Sequence, residues 1–506
     1  MKENKEIKIG AILSYLIIIA NMIIGVLYTP ILTSKLGQSE YGLYSLVTSV
    51  ISYLTILDFG FGNSIIIYTT RYRNRNEKEK EQKLHGMFFI IYTIIGIIAG
   101  IIGGILWLNV DNLFGNTMTI EELNKARTLM GILTFNLIMT FPLSIFSSII
   151  TSYEKFVFAK TINLIRIIIN PIIMIILLNL GYKAVALVIL NTVLNLTTLI
   201  LNFYYCKKKL NIKLKFGKLD LKLLREIMIF SVWIFLNSII DKINYNVDQF
   251  VLGIVSGSVA VAIYSVASHL NQLYVNFSTA ISGVLLPKIT KMENENASDK
   301  EFSDIFIKTG RIQYVIMALI LSGFILYGSE FINIMWVGPE YSESYIIACI
   351  LMISITVPLI QNIGINILQA KNKYKYRVII FSIFAIINLV ISIILSKLYG
   401  GIGAAIGTAI SLIGGAGICM NIFYYRKIHI NIIEFWKNIG KMSIPIIFCV
   451  IFAIIIKMII PINTVLNLIL QIAIYSTLYC IIMWKFGINS YEKDLLRIPL
   501  KKVFSK

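Results

Sequence analysis

The sequence has few residues that could bind a metal or form disulfides. It contains five cysteines without a CxxC pair and three widely separated histidines, His85, His269 and His429. Neither set has the spacing of a metal site. The cysteines lie within or at the ends of apolar runs, so we interpret them as small core residues. We therefore expect no metal and no cofactor.

Charged residues are also scarce. Only 14% of the 506 residues are charged, whereas 57% are hydrophobic, and the mean hydropathy is +0.80. A helix that spans a bilayer needs roughly 20 mostly apolar residues, and such runs recur from one end of the sequence to the other. The pattern leaves no room for a soluble domain. It predicts an all-α polytopic membrane protein with about fourteen transmembrane helices.

Basic residues outnumber acidic ones, 46 to 26, which gives a formal net charge of +20. Such an excess suggests nucleic acid in a soluble protein, but here the basic residues concentrate in alternating loops. If the amino end is cytoplasmic, about 36 of the 46 lie in the termini and every second loop, including residues 71–83, 207–225 and 371–377. We predict that both termini lie in the cytoplasm and that the protein has no nucleic-acid partner. The richness in Ile, Asn and Lys suggests an AT-rich bacterial genome, so we expect a bacterial cytoplasmic membrane protein. We interpret the basic runs as topology signals that contact the lipid bilayer.

An internal repeat is visible in two places. Residues 36–50 match residues 256–270 at an offset of 220, and the prolines Pro142 and Pro358 match at an offset of 216. Each copy contains six predicted spans. An even number makes them parallel pseudo-repeats with a shared cavity between the lobes.

The repeat predicts four regions. Residues 1–206 form an amino-terminal six-helix lobe, and residues 207–226 form a basic cytoplasmic linker. Residues 227–425 form the second six-helix lobe. Residues 426–506 supply two extra helices and a cytoplasmic tail, which have no counterpart in the repeat.

Polar side chains recur at helical spacing within several predicted spans. The seventh span carries Asn237, Asp241, Asn244 and Asp248 on one face, and the eighth carries Ser265, His269, Gln272 and Asn276. The sixth span has Asn191, Asn195, Thr198 and Asn202, and the fifth has Asn163, Arg166 and Asn170. Charges at mid-bilayer cost several kcal/mol unless they are paired or hydrated. Several such faces therefore predict a watery cavity.

Each of these residues also has a structural interpretation. Asp241 and Lys242 could belong to a buried structural ion pair, and Arg166 could extend along its helix to the membrane surface. Asp58 could pair with a distant cation instead of facing the cavity. His269 could be a hydrogen-bonded structural residue.

Four segments together resemble a known family: LGQSEYGLYSL at 36–46, LDFGFGNS at 57–64, AIYSVASHL at 262–270 and ILQAKNKYKYR at 367–377. They resemble the polysaccharide-transport (Wzx-type) oligosaccharide flippases of the multidrug/oligosaccharidyl-lipid/polysaccharide exporter superfamily. The resemblance runs over nearly the whole chain. It implies two six-helix lobes, often followed by two further helices, that work by alternating access.

The resemblance also implies a function. Members move undecaprenyl-diphosphate-linked oligosaccharides across the cytoplasmic membrane for O-antigen, capsule or related glycan assembly, and are coupled to ion gradients. For the diphosphate our candidates are Arg166 and Lys242, and for the sugars they are Asn237, Asn244, His269, Gln272 and Asn276. For coupling to H+ or Na+ they are Asp58, Asp241 and Asp248. A glycan polymerase or export machinery is a further expected partner.

Two other functions compete with this one. A multidrug or toxin cation antiporter of the same superfamily would use Asp58, Asp241 and Asp248, but Arg166 and Lys242 would repel its cargo. A membrane enzyme such as a glycan polymerase is disfavoured, because the sequence has no large outer loop, no nucleophile with a base and no nucleotide-binding loop. We therefore predict that the chain is not an enzyme.

Overall fold

The computed structural model describes residues 2–217, 220–282 and 285–494, and all regular secondary structure within them is helical. The chain divides into two compact units, Met1–Ser265 and Val266–Lys506. The first unit contains the helices α1 (Lys2–Leu54), α2 (Phe61–Asn74), α3 (Lys78–Leu108), α4 (Val110–Phe114), α5 (Ile120–Ser152), α6 (Phe156–Asn179), α7 (Ala184–Lys208) and α8 (Leu221–Val255).

Helix α9 (Gly257–Ser282) begins in the first unit and ends in the second. The second unit then contains α10 (Leu286–Asn294), α11 (Asp299–Glu330), α12 (Glu343–Ile360), α13 (Ile363–Ala370), α14 (Tyr374–Leu412), α15 (Met420–Phe423), α16 (Ile432–Ile459) and α17 (Val465–Ile482).

Ten helical stretches of the described residues are long and apolar enough to cross a membrane. The two longest, Ile12–Asn74 and Tyr374–Ile428, have 63 and 55 residues, so each is long enough for two spans. Their helices are interrupted at Gly37 (φ 76°, ψ 169°) and Gly400 (φ 55°, ψ −132°). Glycine adopts these backbone conformations without steric cost. With α8 and α9 added, the described residues contain about fourteen spans. The predicted all-α polytopic fold is confirmed.

The backbone also repeats. Ten residues with positive φ form five pairs, each separated by 218 to 220 residues: Gly37 and Gly257, Asn76 and Asn296, Glu154 and Asn372, Gly181 and Gly400, and Asn211 and His429. Nearly all lie where one helix ends and the next begins, because a left-handed residue stops a helix and reverses the chain. The turns of the first copy therefore recur in the second, as the sequence offset of 216 to 220 predicts.

Helix α8 packs against α1, α2 and α4 within the first unit. The carbonyl of Ser258, at the start of α9, lies so close to Gly42 that a Cβ at Gly42 would collide with it. The division between the two compact units falls after Ser265, inside α9. The predicted domain boundaries at residues 206, 227 and 425 stay predictions.

Candidate functional site

A ladder of polar side chains joins α6 to α7 in the first unit. Arg166 Nη1 donates to Asn195 Oδ1 at 3.3 Å, and one helical turn later Asn170 Nδ2 donates to Asn191 Oδ1 at 2.8 Å. Residues four apart on each helix supply the two rungs, as the predicted polar faces require. Because these groups lie within spans, hydrogen bonding offsets part of the cost of placing them in a membrane.

Each rung reaches a third helix. Asn195 Nδ2 donates to Asn136 Oδ1 and to Thr140 Oγ1 on α5, both at 2.8 Å. Asn191 Nδ2 donates to Tyr44 Oη on α1 at 3.3 Å. The ladder therefore connects four of the predicted spans of the first unit.

The second rung borders a cleft of about 200 Å³. Its polar lining residues are Asn21, Tyr28, Tyr44, Asn170 and Asn191. Amide and phenol groups both donate and accept hydrogen bonds, so this lining suits a ligand rich in hydroxyl groups.

An apolar groove of about 250 Å³ adjoins this cleft. The two share Ile24, Tyr28 and Pro171, and the groove is otherwise lined by aliphatic side chains of α1 and α6. Its walls are open at the surface, since Leu27 is 63% exposed and Ile172 is 53% exposed. One side of the first unit thus presents a polar cleft and an apolar groove in direct continuity.

Asp58 lies where the second span is broken. A 3₁₀ turn over Thr55–Asp58 is followed by Phe59 (φ 52°) and Gly60 (φ 71°), both left-handed, before α2 begins. Tyr92 Oη on α3 donates to Asp58 Oδ1 at 2.5 Å. The carboxylate is half-buried, and it lies at the kind of helix interruption that lines cavities in transporters.

Asp248 on α8 is almost fully buried and accepts a hydrogen bond from Tyr264 Oη on α9. The structure therefore encloses this carboxylate in protein in the conformation described. Its predicted role in ion coupling remains a prediction, as does that of Asp58.

Four of the remaining candidates, Lys242, His269, Gln272 and Asn276, have side chains that the structure describes. The Lys242 side chain is half-buried. His269 stacks on Trp336 with ring centroids 6.3 Å apart, and Gln272 Nε2 donates to Asn276 Oδ1 at 3.1 Å. The side chains of Asn237, Asp241 and Asn244 lie outside the described residues.

The repeat places other residues at the equivalents of the ladder. Asn388, 218 residues after Asn170, is fully buried and accepts from Ser392 at 2.9 Å and from Thr408 at 3.3 Å. The position 218 residues after Arg166 is Phe384. At the two equivalent positions the second copy therefore has an uncharged residue in place of Arg166 and an enclosed asparagine in place of Asn170.

Sequence reasoning did not include Asn136, Thr140, Tyr44 and Asn21 among the site candidates. Asn136 and Thr140 have the four-residue spacing that marked the other polar faces, and Tyr44 was noted only as part of the repeat. Asn21 stands alone in an apolar run, so no periodic pattern could have identified it.

Comparison with known proteins agrees with this architecture. A family described as "Polysaccharide biosynthesis protein" matches residues 7–293, which is more than half of the chain. The "Putative O-antigen transporter" of Shigella flexneri is 22% identical over 390 residues, covering 76% of this chain and 89% of that protein. "Capsular polysaccharide biosynthesis protein CapF" of Staphylococcus aureus is 26% identical over 233 residues, covering 45% of this chain and 57% of its own.

Solved structures share the fold. "Lipid II flippase MurJ, inward closed conformation" has a TM-score of 0.73 at 18% identity, and the match covers 96% of this chain and 99% of the solved chain. An inward-facing multidrug resistance transporter of the MATE family has a TM-score of 0.58 at 14% identity, covering 83% of this chain and 99% of its own. On the match over residues 7–293, the chain belongs to the polysaccharide biosynthesis protein family.

Proposed function

We propose that this protein is a flippase that moves lipid-linked oligosaccharides across the bacterial cytoplasmic membrane by alternating access. The observation that carries the proposal is the continuity of the polar cleft at Asn170 and Asn191 with the apolar groove at Ile24 and Pro171. An oligosaccharide joined through diphosphate to a polyprenyl chain has both a polar and an apolar part. Each part finds matching surface on the same side of one unit.

The physical demand on such a protein is high. Sugar hydroxyls and phosphates in hydrocarbon cost several kcal/mol for each group left without a hydrogen bond. Asparagine amides and tyrosine phenols can replace water around hydroxyl groups, and Arg166 supplies a cation one helical turn from Asn170. The open groove lets the lipid chain stay beside the bilayer while the head group passes.

The relatives support the same function. The names of the Shigella and Staphylococcus proteins refer to O-antigen transport and capsular polysaccharide biosynthesis, and the solved lipid II flippase shares the fold. These proteins are transporters or act in glycan assembly, which supports a transporter and not an enzyme. Undecaprenyl diphosphate as the carrier, O-antigen or capsule repeat units as cargo, and an H+ or Na+ gradient as the driving force complete the proposal.

A cation antiporter is the second candidate, because transporters of multidrug type share the fold. Asp58 and Asp248 would be its cargo-binding groups. Both carboxylates already accept a tyrosine hydrogen bond, and the cation Arg166 belongs to the polar ladder. A cationic amphiphile would be repelled by the guanidinium, so the ladder favours an anionic cargo.

The test is translocation in proteoliposomes. The purified protein is reconstituted with a fluorescent undecaprenyl-diphosphate oligosaccharide, and the fraction accessible to a glycosidase outside the vesicles is followed with and without an imposed H+ or Na+ gradient. We expect movement that depends on protein and is faster with a gradient. A cationic dye is assayed in parallel in the same vesicles. Dye movement without glycan movement would replace the flippase with the antiporter.

The cleft itself is tested by Asn170→Leu, which removes amide donors at constant size. Ile189→Leu, at an exposed position of α7 that lines neither the cleft nor the groove, is the control. We expect Asn170→Leu to slow glycan movement and Ile189→Leu to leave it unchanged.

A further inference from the structure

A further pocket lies apart from the polar ladder. It is formed by the ends of α2 and α5, the start of α3, and the linker where it leaves α7. Its volume is about 440 Å³. The lining side chains that matter here are Arg73, Lys78, Glu81, His85, Tyr153 and Lys213. In the predicted topology this end of the helices faces the cytoplasm.

The linker forms one wall of the pocket and is held in place. Lys215 N donates to the Gln82 carbonyl at 3.1 Å, and Lys215 Nζ pairs with Glu79 at 2.8 Å. Gly86 has no side chain, and a Cβ there would collide with the Lys215 carbonyl oxygen. The linker is therefore packed directly onto α3, so the pocket wall is part of the fold.

The pocket lining carries three cations and one carboxylate. The carboxylate, Glu81, already accepts from Tyr153 Oη at 2.7 Å. Arg73 Nη1 donates to the Ser152 carbonyl at 2.7 Å, and the guanidinium lies over the Tyr153 ring. These contacts fix the guanidinium, and its other N–H groups can donate to a ligand. Lys78 and Lys213 are exposed and form no ion pair within the described ranges.

His85 lines the same pocket and carries a buried polar atom without a partner in the described ranges. The side chain is 1% exposed, and Nε2 lies 3.0 Å from Thr69 Oγ1. Its Nδ1 is buried and has no hydrogen-bond partner among the residues the structure describes. A buried polar atom without a partner is destabilising, so a ligand that hydrogen-bonds to Nδ1 gains from satisfying it.

We propose that this pocket binds a phosphate group, carried either by the head group of an anionic phospholipid or by a soluble phosphorylated molecule. Phosphate oxygens accept hydrogen bonds from a fixed guanidinium, from ammonium groups and from an imidazole N–H. The volume exceeds the need of the phosphate alone and leaves room for the glycerol or sugar attached to it. The site shares none of its residues with the ladder and goes beyond the proposed transport function.

The experiment compares two double variants of the full-length protein. Lys78→Ala with Lys213→Ala removes the two pocket lysines, and Lys208→Ala with Lys209→Ala removes two exposed linker lysines outside the pocket. Both lose the same charge. Retention of phosphatidylglycerol is measured by native mass spectrometry, and binding of inorganic phosphate by equilibrium dialysis in detergent free of anionic lipid.

We expect the pocket variant to bind at least one probe about tenfold more weakly than the control variant, equivalent to about 1.4 kcal/mol. A loss confined to phosphatidylglycerol identifies a lipid head group, and a loss confined to inorganic phosphate identifies a soluble ligand. His85→Leu, which removes Nδ1 without altering surface charge, should weaken the same probe. Equal binding of both probes by the pocket and control variants overturns the proposal.

Discussion

The phenol of Tyr264 donates a hydrogen bond to the carboxylate of Asp248, and the two side chains are 2% and 1% exposed. The pair joins α8 to α9 on either side of the turn at Gly257. Asp248 therefore has two properties that can be separated by substitution: a negative charge and a hydrogen-bond acceptor.

Asp248→Asn removes the charge but keeps an oxygen that can accept from Tyr264. If the carboxylate couples transport to an ion, the variant should fold normally and lose the stimulation by an imposed gradient. The measurement is glycan translocation in proteoliposomes with and without the gradient. Asp220→Asn is the control, because it changes the same charge at an exposed helix N-cap that Asn fills equally well. Normal gradient stimulation in Asp248→Asn would remove this residue from coupling.

Tyr264→Phe should act on stability instead. It takes one donor from a buried carboxylate, which costs about 1–3 kcal/mol, so we expect a lower midpoint of thermal unfolding in detergent. Tyr204→Phe, the same change at an exposed tyrosine of α7, is the control and should leave the midpoint unchanged. An unchanged midpoint for Tyr264→Phe would mean that the hydrogen bond contributes nothing to stability.

Substitutions of Arg166 test its proposed role in binding the diphosphate. Arg166→Gln can still donate to Asn195 but lacks the positive charge, whereas Arg166→Lys keeps the charge. We expect the apparent affinity for diphosphate-linked glycan to fall about tenfold in the Gln variant, which is about 1.4 kcal/mol, and less in the Lys variant. Substrate titration in the translocation assay measures this, with Lys183→Gln, at an exposed position, as control. If both Arg166 variants behave as wild type, Arg166 does not bind the diphosphate.

The two copies of the repeat should respond differently to the same substitution. Asn388→Ala leaves Ser392 and Thr408 without a shared acceptor in a fully buried site, so it should lower stability. Asn170→Ala opens onto the cleft and should slow translocation with a smaller effect on thermal unfolding. Equal effects of the two variants in both assays would contradict the assignment of the cleft to the first copy.

Gly37 and Gly257 at the repeated turns both have a positive φ, and Gly257 is also in close contact with neighbouring backbone. A Cβ at Gly37 meets no atom within 4 Å, whereas at Gly257 it would lie 2.8 Å from the Thr117 carbonyl oxygen. Alanine at either position adopts an unfavourable positive φ, at a cost of roughly 1 kcal/mol. Thermal unfolding should therefore show that Gly257→Ala is more destabilising than Gly37→Ala. Gly104→Ala, in a helix with open space, should be neutral or stabilising.

The orientation of the chain is tested by labelling. Asn76→Cys and Asn116→Cys are introduced singly into a variant without native cysteines and exposed to a membrane-impermeant maleimide in intact cells. The distribution of basic residues predicts labelling of Cys at 116 and protection at 76. The reverse result would invert the proposed topology and place the phosphate pocket outside the cytoplasm.

Several features were predictable because they depend on local pattern. The length of apolar runs determines the number of spans, since a helix must cross a bilayer of fixed thickness. The polar faces of the fifth and sixth spans were visible as four-residue steps, and the structure joins Arg166 to Asn195 and Asn170 to Asn191. The sequence showed that Gly37 and Gly257 occupy matching positions of the repeat. It did not show that the helix is interrupted there, because glycine adopts negative and positive φ about equally well.

Other features depend on which helices become neighbours. The sequence marked Asp58 and Asp248 as charges in apolar surroundings, but their tyrosine partners lie 34 and 16 residues away on other helices. The basic linker was interpreted as a topology signal, and its packing on Gly86 was not foreseen. Nothing in the periodicity of either segment specifies these contacts.

The sequence by itself determined an all-helical membrane protein of about fourteen spans, built as a repeat, because hydrophobic length and helical periodicity are properties of consecutive residues. Only the tertiary structure decided that the first copy retains an open polar cleft beside an apolar groove, while Asn388 in the second copy is closed off. It also formed the phosphate pocket by folding the linker onto α3. The reason is that a cleft is bounded by side chains from several helices, and their packing depends on complementary shapes that residue type and spacing do not specify.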